Sequence, residues 1–332
     1  MPKSRTTLKE LAAILEVSIS TISKALNDSH EISESTKKRI VELAKLHNYR
    51  PNKTALGLKS GRTNTIAVII PSVQNSFFAR ALYGIESVIS KTNYSTIVCL
   101  TKESYDKEVD NIDMLSNGVV DGFIVAVCQE TQDSGDFSHF EDAINDGKSI
   151  VMFDCVLNAV PCTKVITNDY SAISEATQKL IESDRKNIIL VSAIKNSNVG
   201  KQRTKGYRKA MQEAHLSAVI LEANPKEIEA ELKDYIAQNP VDAVMALDTD
   251  SSFAAYKVAR ELNKNIPQDI AVIGYVSERM APHLVPELTT INQHSFTMGK
   301  TAATLLLEQL ENKSNIDTTV VIDSTLSQRA SS

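Results

Sequence analysis

Two groups of residues in this 332-residue chain are of types that make specific non-covalent contacts. Near the N-terminus, Ser18, Ser20, Thr21, Ser23, Lys24 and Asn27 bring hydroxyl, ammonium and amide groups close together in sequence. Hydroxyls and amides at a helix start suit phosphate oxygens, and a side chain at the start of a helix in the major groove reaches base edges. A solvated helix face has the same composition. Farther along, polar and aromatic residues follow short apolar runs: Asn75-Ser76-Phe77-Phe78, Asp154, Asp248-Thr249-Asp250 and Tyr275-Val276-Ser277. Phe77 and Phe78 either stack on a sugar ring or base, or serve as core residues at a helix start. Asp248-Thr249-Asp250 has the form of a metal-binding DxD, but Asp250 as an N-cap with Asp248 facing a cleft is the simpler account. No GxSxG, HExxH, GxxxxGK or GxGxxG occurs. His30, His47, His139, His215, His283 and His294 have no ligand spacing, and the four cysteines form no CxxC. The residues predict binding without turnover: no enzyme, no cofactor and no metal.

The N-terminal group needs helices to present it. Thr7 and Glu10 form a capping-box pattern ahead of Leu8, Leu11, Ala12 and Leu15, which recur at helical spacing. Ser18 caps a second helix whose buried face is Ile22, Ala25 and Leu26 and which ends at Asn27-Asp28. Ser33 opens a third, with Ile40, Leu43, Ala44 and His47 on one face. Two short helices across a tight turn describe a helix-turn-helix. Charge divides at the same place: residues 1–62 hold 12 basic and 6 acidic side chains, residues 63–332 hold 24 and 35. The basic head suits DNA although the chain as a whole carries −5. Between them, Pro51, Asn52 and Ser60-Gly61 delimit Lys53–Lys59. That segment is far below the ~12 residues at which an isolated helix becomes even marginal, so it should be helical only when something holds it.

The body alternates apolar runs with helical patterns. Strands are expected at 66–70, 96–100, 122–127, 150–153, 188–191, 218–221, 243–247 and 271–275, with helices at 79–89, 173–181, 203–214, 228–236, 253–262 and 298–310. Buried strands separated by helices imply parallel sheets, and their number implies two doubly wound lobes. Ligands of such lobes bind beyond the carboxyl ends of the strands. No run approaches 18 apolar residues and MPKSRTTLKE has no apolar leader core, so a cytoplasmic protein without membrane contact is expected.

The runs TLKELAAILEVSISTISKALN, ISESTKKRIVELAKLHNYRPN and GLKSGRTNTIAVIIP resemble the head, hinge and first core strand of the lactose and galactose repressor family of bacterial transcription regulators. The resemblance extends over the whole chain. It implies an all-α helix-turn-helix head (1–50), a hinge helix (51–62) and an α/β core (63–332) of two doubly wound parallel-sheet lobes of the periplasmic sugar-binding type. The N-lobe would comprise about 63–162 and 293–318, the C-lobe about 163–291 and 319–332. By resemblance, Ile19, Ser20 and Lys24 read bases, while Thr7, Ser18, Thr21, Ser23, Asn27 and Thr36 grip phosphates. Asn52, Ala55, Leu58 and Lys59 enter the minor groove, with Leu58 as the wedge. Phe77, Phe78, Asp154, Arg203 in its RxxGY pattern, Asp248 and Ser277 would hold the effector.

The implied function is a repressor that binds a pseudo-palindromic double-stranded DNA operator as a homodimer, under control of a sugar-like effector. A sugar-binding or sugar-processing protein with the same core is the alternative. Four positions depart from the family pattern: Glu16 stands for Gly, Lys24 for Arg, Ser76 for Pro, and Val276 for Asp. The last removes a hydroxyl acceptor, so a modified, phosphorylated or acidic effector, or a protein partner, is expected in place of a simple pentose or hexose.

Overall fold

The computed structural model describes residues 6–26, 28–49, 62–194, 196–312 and 317–332. It divides into two units, one ending at Thr63 and one beginning at Asn64. Asn27, the 51–61 part of the hinge, and with it Asn52, Ala55, Leu58 and Lys59, lie outside the described residues.

Among its described residues the first unit has three helices, α1 (Leu8–Leu15), α2 (Ile19–Leu26) and α3 (Glu34–Leu46). Each starts where a side-chain oxygen takes an otherwise orphaned backbone N–H. Thr7 and Glu10 complete a reciprocal capping box, Ser18 Oγ accepts the Thr21 N–H at 3.0 Å, and Ser33 Oγ accepts that of Thr36. The core is Leu11, Ala12, Ile22, Ala25, Ile40 and Ala44, with Leu26 and Leu43 partly buried beside it. His47 does not join that face. It is the exposed C-cap of α3, and its carbonyl accepts the Thr6 hydroxyl at 3.1 Å. Glu16 closes α1 in the left-handed region, φ 53°. A side chain with a Cβ costs about 1–2 kcal/mol there, a cost that the glycine expected at this turn by resemblance would avoid.

Among its described residues the second unit contains two six-stranded sheets. In chain order the strands are β1 (Thr65–Ile70), β2 (Ser95–Leu100), β3 (Gly122–Val125), β4 (Ser149–Phe153), β5 (Thr163–Thr167), β6 (Ile188–Ser192), β7 (Val219–Glu222), β8 (Ala243–Ala246), β9 (Ala271–Gly274), β10 (Thr289–Asn292), β11 (Thr319–Ile322) and β12 (Thr325–Ser327). The first sheet runs β11-β5-β4-β3-β1-β2, all pairs parallel. The second runs β12-β10-β9-β8-β6-β7, parallel except for β12 against β10. Side chains alternate across each sheet. Ile66, Val68 and Ile70 pack on the helices Ser76–Ile89 and Ser295–Asn312, while Ala67 and Ile69 pack towards Ile112, Leu115 and Phe140. In the second lobe Ile189 and Val191 face Leu232, Ile236 and Val258, and Ile188 and Leu190 face Ile173, Tyr207 and Met211.

The chain changes sheet after β5, after β10, and between β11 and β12. Two expected lobe boundaries therefore move. Residues 163–167 and 319–322 belong to the first lobe: Val151 pairs with Thr163, and Thr319 with Lys164. Lys164 explains why β5 escaped a reading by apolar runs. Its side chain is buried and its ammonium donates to the carbonyls of Val160 and Cys162 at 2.7 and 2.8 Å. The helices Ser76–Ile89 and Ser295–Asn312 approach through two glycines: a Cβ on Gly299 would stand 1.9 Å from the Ala81 carbonyl oxygen, one on Gly84 2.1 Å from that of Phe296.

Candidate DNA-reading face and effector cleft

In the head, the start of α2 gathers hydroxyls. Ser18 Oγ lies 2.6 Å from Ser20 Oγ and 2.8 Å from Thr21 Oγ1. Ile19, 48% exposed, projects from the first turn beside them. The positive end of the helix dipole and these donors give the start of α2 the chemistry that suits an anion. Thr7 and Thr36 stand in the same way at the starts of α1 and α3, Thr7 as N-cap and Thr36 bonded to Ser33 Oγ at 2.8 Å. Ser23 is half-buried on α2.

Lys24 is not free on its surface: its ammonium pairs with Glu31, seven residues on. Both side chains are about half exposed (48% and 53%), and such a pair contributes about 0–1 kcal/mol. It can be exchanged for DNA. Glu31→Gln, which frees Lys24 and removes a negative charge from the same surface, is expected to tighten DNA binding two- to fivefold by fluorescence anisotropy at ~0.1 M salt. Unchanged affinity would remove the competition from the account.

In the core, the carboxyl ends of both sheets face a common cleft of about 150 Å³. Phe77 and Phe78 follow β1, Glu103 follows β2, Gln129 and Gln132 follow β3, and Asp154 follows β4. From the second lobe come Arg203 after β6, Asp248 after β8 and Tyr275 after β9. The structure thus brings together five of the six expected effector residues. Ser277 is not among them. It lines a neighbouring cavity of about 180 Å³ with Ser76, Arg80 and Val276, reached past Phe77 and Tyr275.

Phe78 is 6% exposed, its ring edge-on to Phe77 at 5.3 Å and to Phe153 at 6.3 Å, so it backs the cleft wall from the core while Phe77 is more open. Arg203 is buried. Its Nε donates to Asp169 Oδ1 at 2.7 Å and its Nη1 to the Leu247 carbonyl at 2.6 Å, and its guanidinium lies 3.9 Å over the Tyr275 ring. Asp169 is held in turn by the Thr167 hydroxyl at 2.7 Å. Two of the five donors of Arg203 set its plane.

Asp154 sits at φ 57° and is 8% exposed. Its Oδ2 accepts only the Cys155 thiol at 3.5 Å, and its Oδ1 is buried without a partner. Burial pushes this carboxyl up to about 7, with the Asp169 charge adding to the effect and Arg203 opposing it. Asp248, expected as a cleft acceptor with Asp250 as the cap, is itself the N-cap of the helix Thr249–Glu261. It accepts the N–H groups of Ser251 and Ala193 and the Ser251 hydroxyl, each at 2.8 Å, so its oxygens are occupied by the protein. Glu278, two residues after Val276, does not supply the acceptor missing there: it is committed to Arg329 (2.6 Å) and Ser327 (2.8 Å).

Sequence reasoning missed Asp169, Glu103 and Gln132, and it named Tyr275 without giving it a role in the cleft. Gln132 joins the lobes, its Oε1 accepting the Asn198 N–H at 2.9 Å. Among the described residues no three His, Cys, Asp or Glu side chains gather to hold a metal, and no helix is long and apolar enough to cross a membrane.

A helix-turn-helix head with a two-lobed, ligand-binding core defines a ligand-responsive transcription regulator. Residues 7–52 match the bacterial regulatory proteins of the lacI family, and residues 177–332 match the periplasmic binding protein-like domain. The chain is 30% identical over 313 residues to the HTH-type transcriptional repressor PurR of Vibrio cholerae serotype O1 (strain M66-2), covering 92% of each, and 28% identical over 325 residues to catabolite control protein A of Priestia megaterium, covering 95% of each. Its fold matches a lac repressor dimer bound to operator and an anti-inducer with a TM-score of 0.87, over 99% of both chains at 18% identity. The chain belongs to the lacI family of bacterial regulatory proteins, and it is a DNA-binding regulator, not an enzyme.

Proposed function

We propose that two copies of the chain repress transcription in the cytoplasm from a pseudo-palindromic operator, and that a sugar-like molecule in the cleft between the lobes sets their affinity for it. Each head (1–50) lays α2 in the major groove, with Ile19, Ser20 and Lys24 at base edges and Thr7, Ser18, Thr21, Ser23, Asn27 and Thr36 on phosphates. The hinge (51–62) adds Asn52, Ala55, Leu58 and Lys59 in the minor groove, Leu58 as an apolar wedge. Phe77, Asp154 and Arg203 contact the effector, and Phe78 backs Phe77 from the core. Asp248 supports the cleft by fixing the loop after β6, and Ser277 borders it. The observation that carries this reading is the start of α2, where an exposed isoleucine and three linked hydroxyls share one helix end. The repressor named among the relatives supports it.

The test is selection of bound sequences from a random duplex library, followed by salt titration. Two half-sites about 10 base pairs apart or at a multiple of that spacing are expected, with affinity falling roughly a thousandfold between about 50 and about 200 mM salt. Enrichment of a single half-site would count against the dimer, and a flat salt response against the phosphate contacts.

A further inference from the structure

The cleft residues also speak to the chemistry of the effector, an inference that rests on the cleft being the effector site. Arg203 is the only cation lining this cavity among the described residues, and Asp169 already neutralises it at 2.7 Å. Asp154, Glu103 and Asp248 line the same cavity as carboxylates. Asp248 is saturated by protein donors, but the other two are not: Glu103 accepts the Gln129 N–H at 2.8 Å, and Asp154 Oδ1, nine-tenths buried, accepts nothing. The buried Tyr275 hydroxyl is likewise without a partner. A buried carboxylate needs a donor and gains most from a cationic one, whereas a phosphate brought beside it meets repulsion and no free cation.

We propose that the cleft takes a small polyhydroxylated ligand bearing a protonated amine, of which an amino sugar is the simplest case, with the ammonium on Asp154 and a hydroxyl on Tyr275. This replaces the expectation of a phosphorylated or acidic effector. It also carries a pH signature. The groups facing Asp154 are Asp169, Arg203, Cys155, Glu103 and Tyr275, and together with burial they hold its carboxyl near neutrality. An ammonium requires the ionised form, so binding releases a proton and strengthens as pH rises towards about 7.

The full chain is titrated calorimetrically with glucosamine, galactosamine and mannosamine, each beside its neutral parent, its N-acetyl derivative and the parent's 6-phosphate, while binding to the selected DNA is followed in parallel. At least one amine should bind about tenfold tighter than its uncharged counterparts and gain about tenfold between about pH 5.5 and about pH 7. In Asp154→Asn, where asparagine tolerates the left-handed backbone, that preference should fall below about twofold. A neutral or phosphorylated sugar that wins and alters DNA affinity overturns the amine and leaves the effector reading standing. Failure of the whole panel overturns the amine as well. An amine that binds with the expected preference but leaves DNA affinity unmoved supports the ligand chemistry and overturns the effector reading.

Discussion

Arg203→Ala is expected to destabilise the core by about 3–5 kcal/mol, because it leaves the buried Asp169 carboxylate unpaired. From the sequence alone this arginine reads as a ligand clamp whose loss would silence the effector and spare the rest. The geometry makes it also the counter-charge of Asp169, the donor to Leu247 and the cation over Tyr275. Calorimetric melting of the core should fall by roughly 10 °C. Adding Asp169→Asn should restore at least half of the loss, since the stranded charge is then gone. An Arg203→Ala protein that melts like its parent would show the pair to be dispensable.

The second large effect lies away from any ligand. In Gly299→Ala the new methyl would sit 1.9 Å from the Ala81 carbonyl oxygen, a backbone atom that no rotamer change can move aside. Alanine favours a helix over glycine by about 1 kcal/mol, whereas forcing apart two packed helices costs typically about 1–3 kcal/mol and occasionally more. At this separation packing should win, with a net loss of about 2 kcal/mol, read as a melting temperature lower by roughly 4–8 °C. Gly84→Ala, against the Phe296 carbonyl at 2.1 Å, should behave alike. If Gly299→Ala were neutral or stabilising, the close approach of these helices would not be what the glycines are for.

The legible parts of this chain were those where one residue type decides the local structure. Thr7, Ser18 and Ser33 announce the three head helices because a hydroxyl before an apolar period has one effective use. Runs such as TIAVII announce the central strands because both faces of those strands are covered. Reading failed where burial is achieved by partners distant in sequence. The helix Tyr105–Ser116 hides behind Glu108, a fully buried acid made acceptable by Thr131 and the Cys128 N–H at 2.6 and 2.7 Å. β5 hides behind Lys164 for the same reason. In the cleft, residues came from loops at strand ends as expected, but their charge state did not. That Arg203 is spent on a residue 34 positions away, while Asp154 is left with a bare oxygen, is a fact of packing.

The three crossings between sheets fix the order in which the molecule can be made. The first lobe receives the helix Ser295–Asn312 and the strand Thr319–Ile322 only from the far end of the chain. At ribosomal speeds of about 5–20 residues per second, the face around Ala81 and Ile85 waits roughly 10 to 40 seconds after synthesis for its partner. Neither lobe is a contiguous stretch of coding sequence. A premature stop anywhere before that helix therefore yields no half-working product, only a chain with an uncovered apolar face, and chaperones and proteases, not operators, should be its first binding partners.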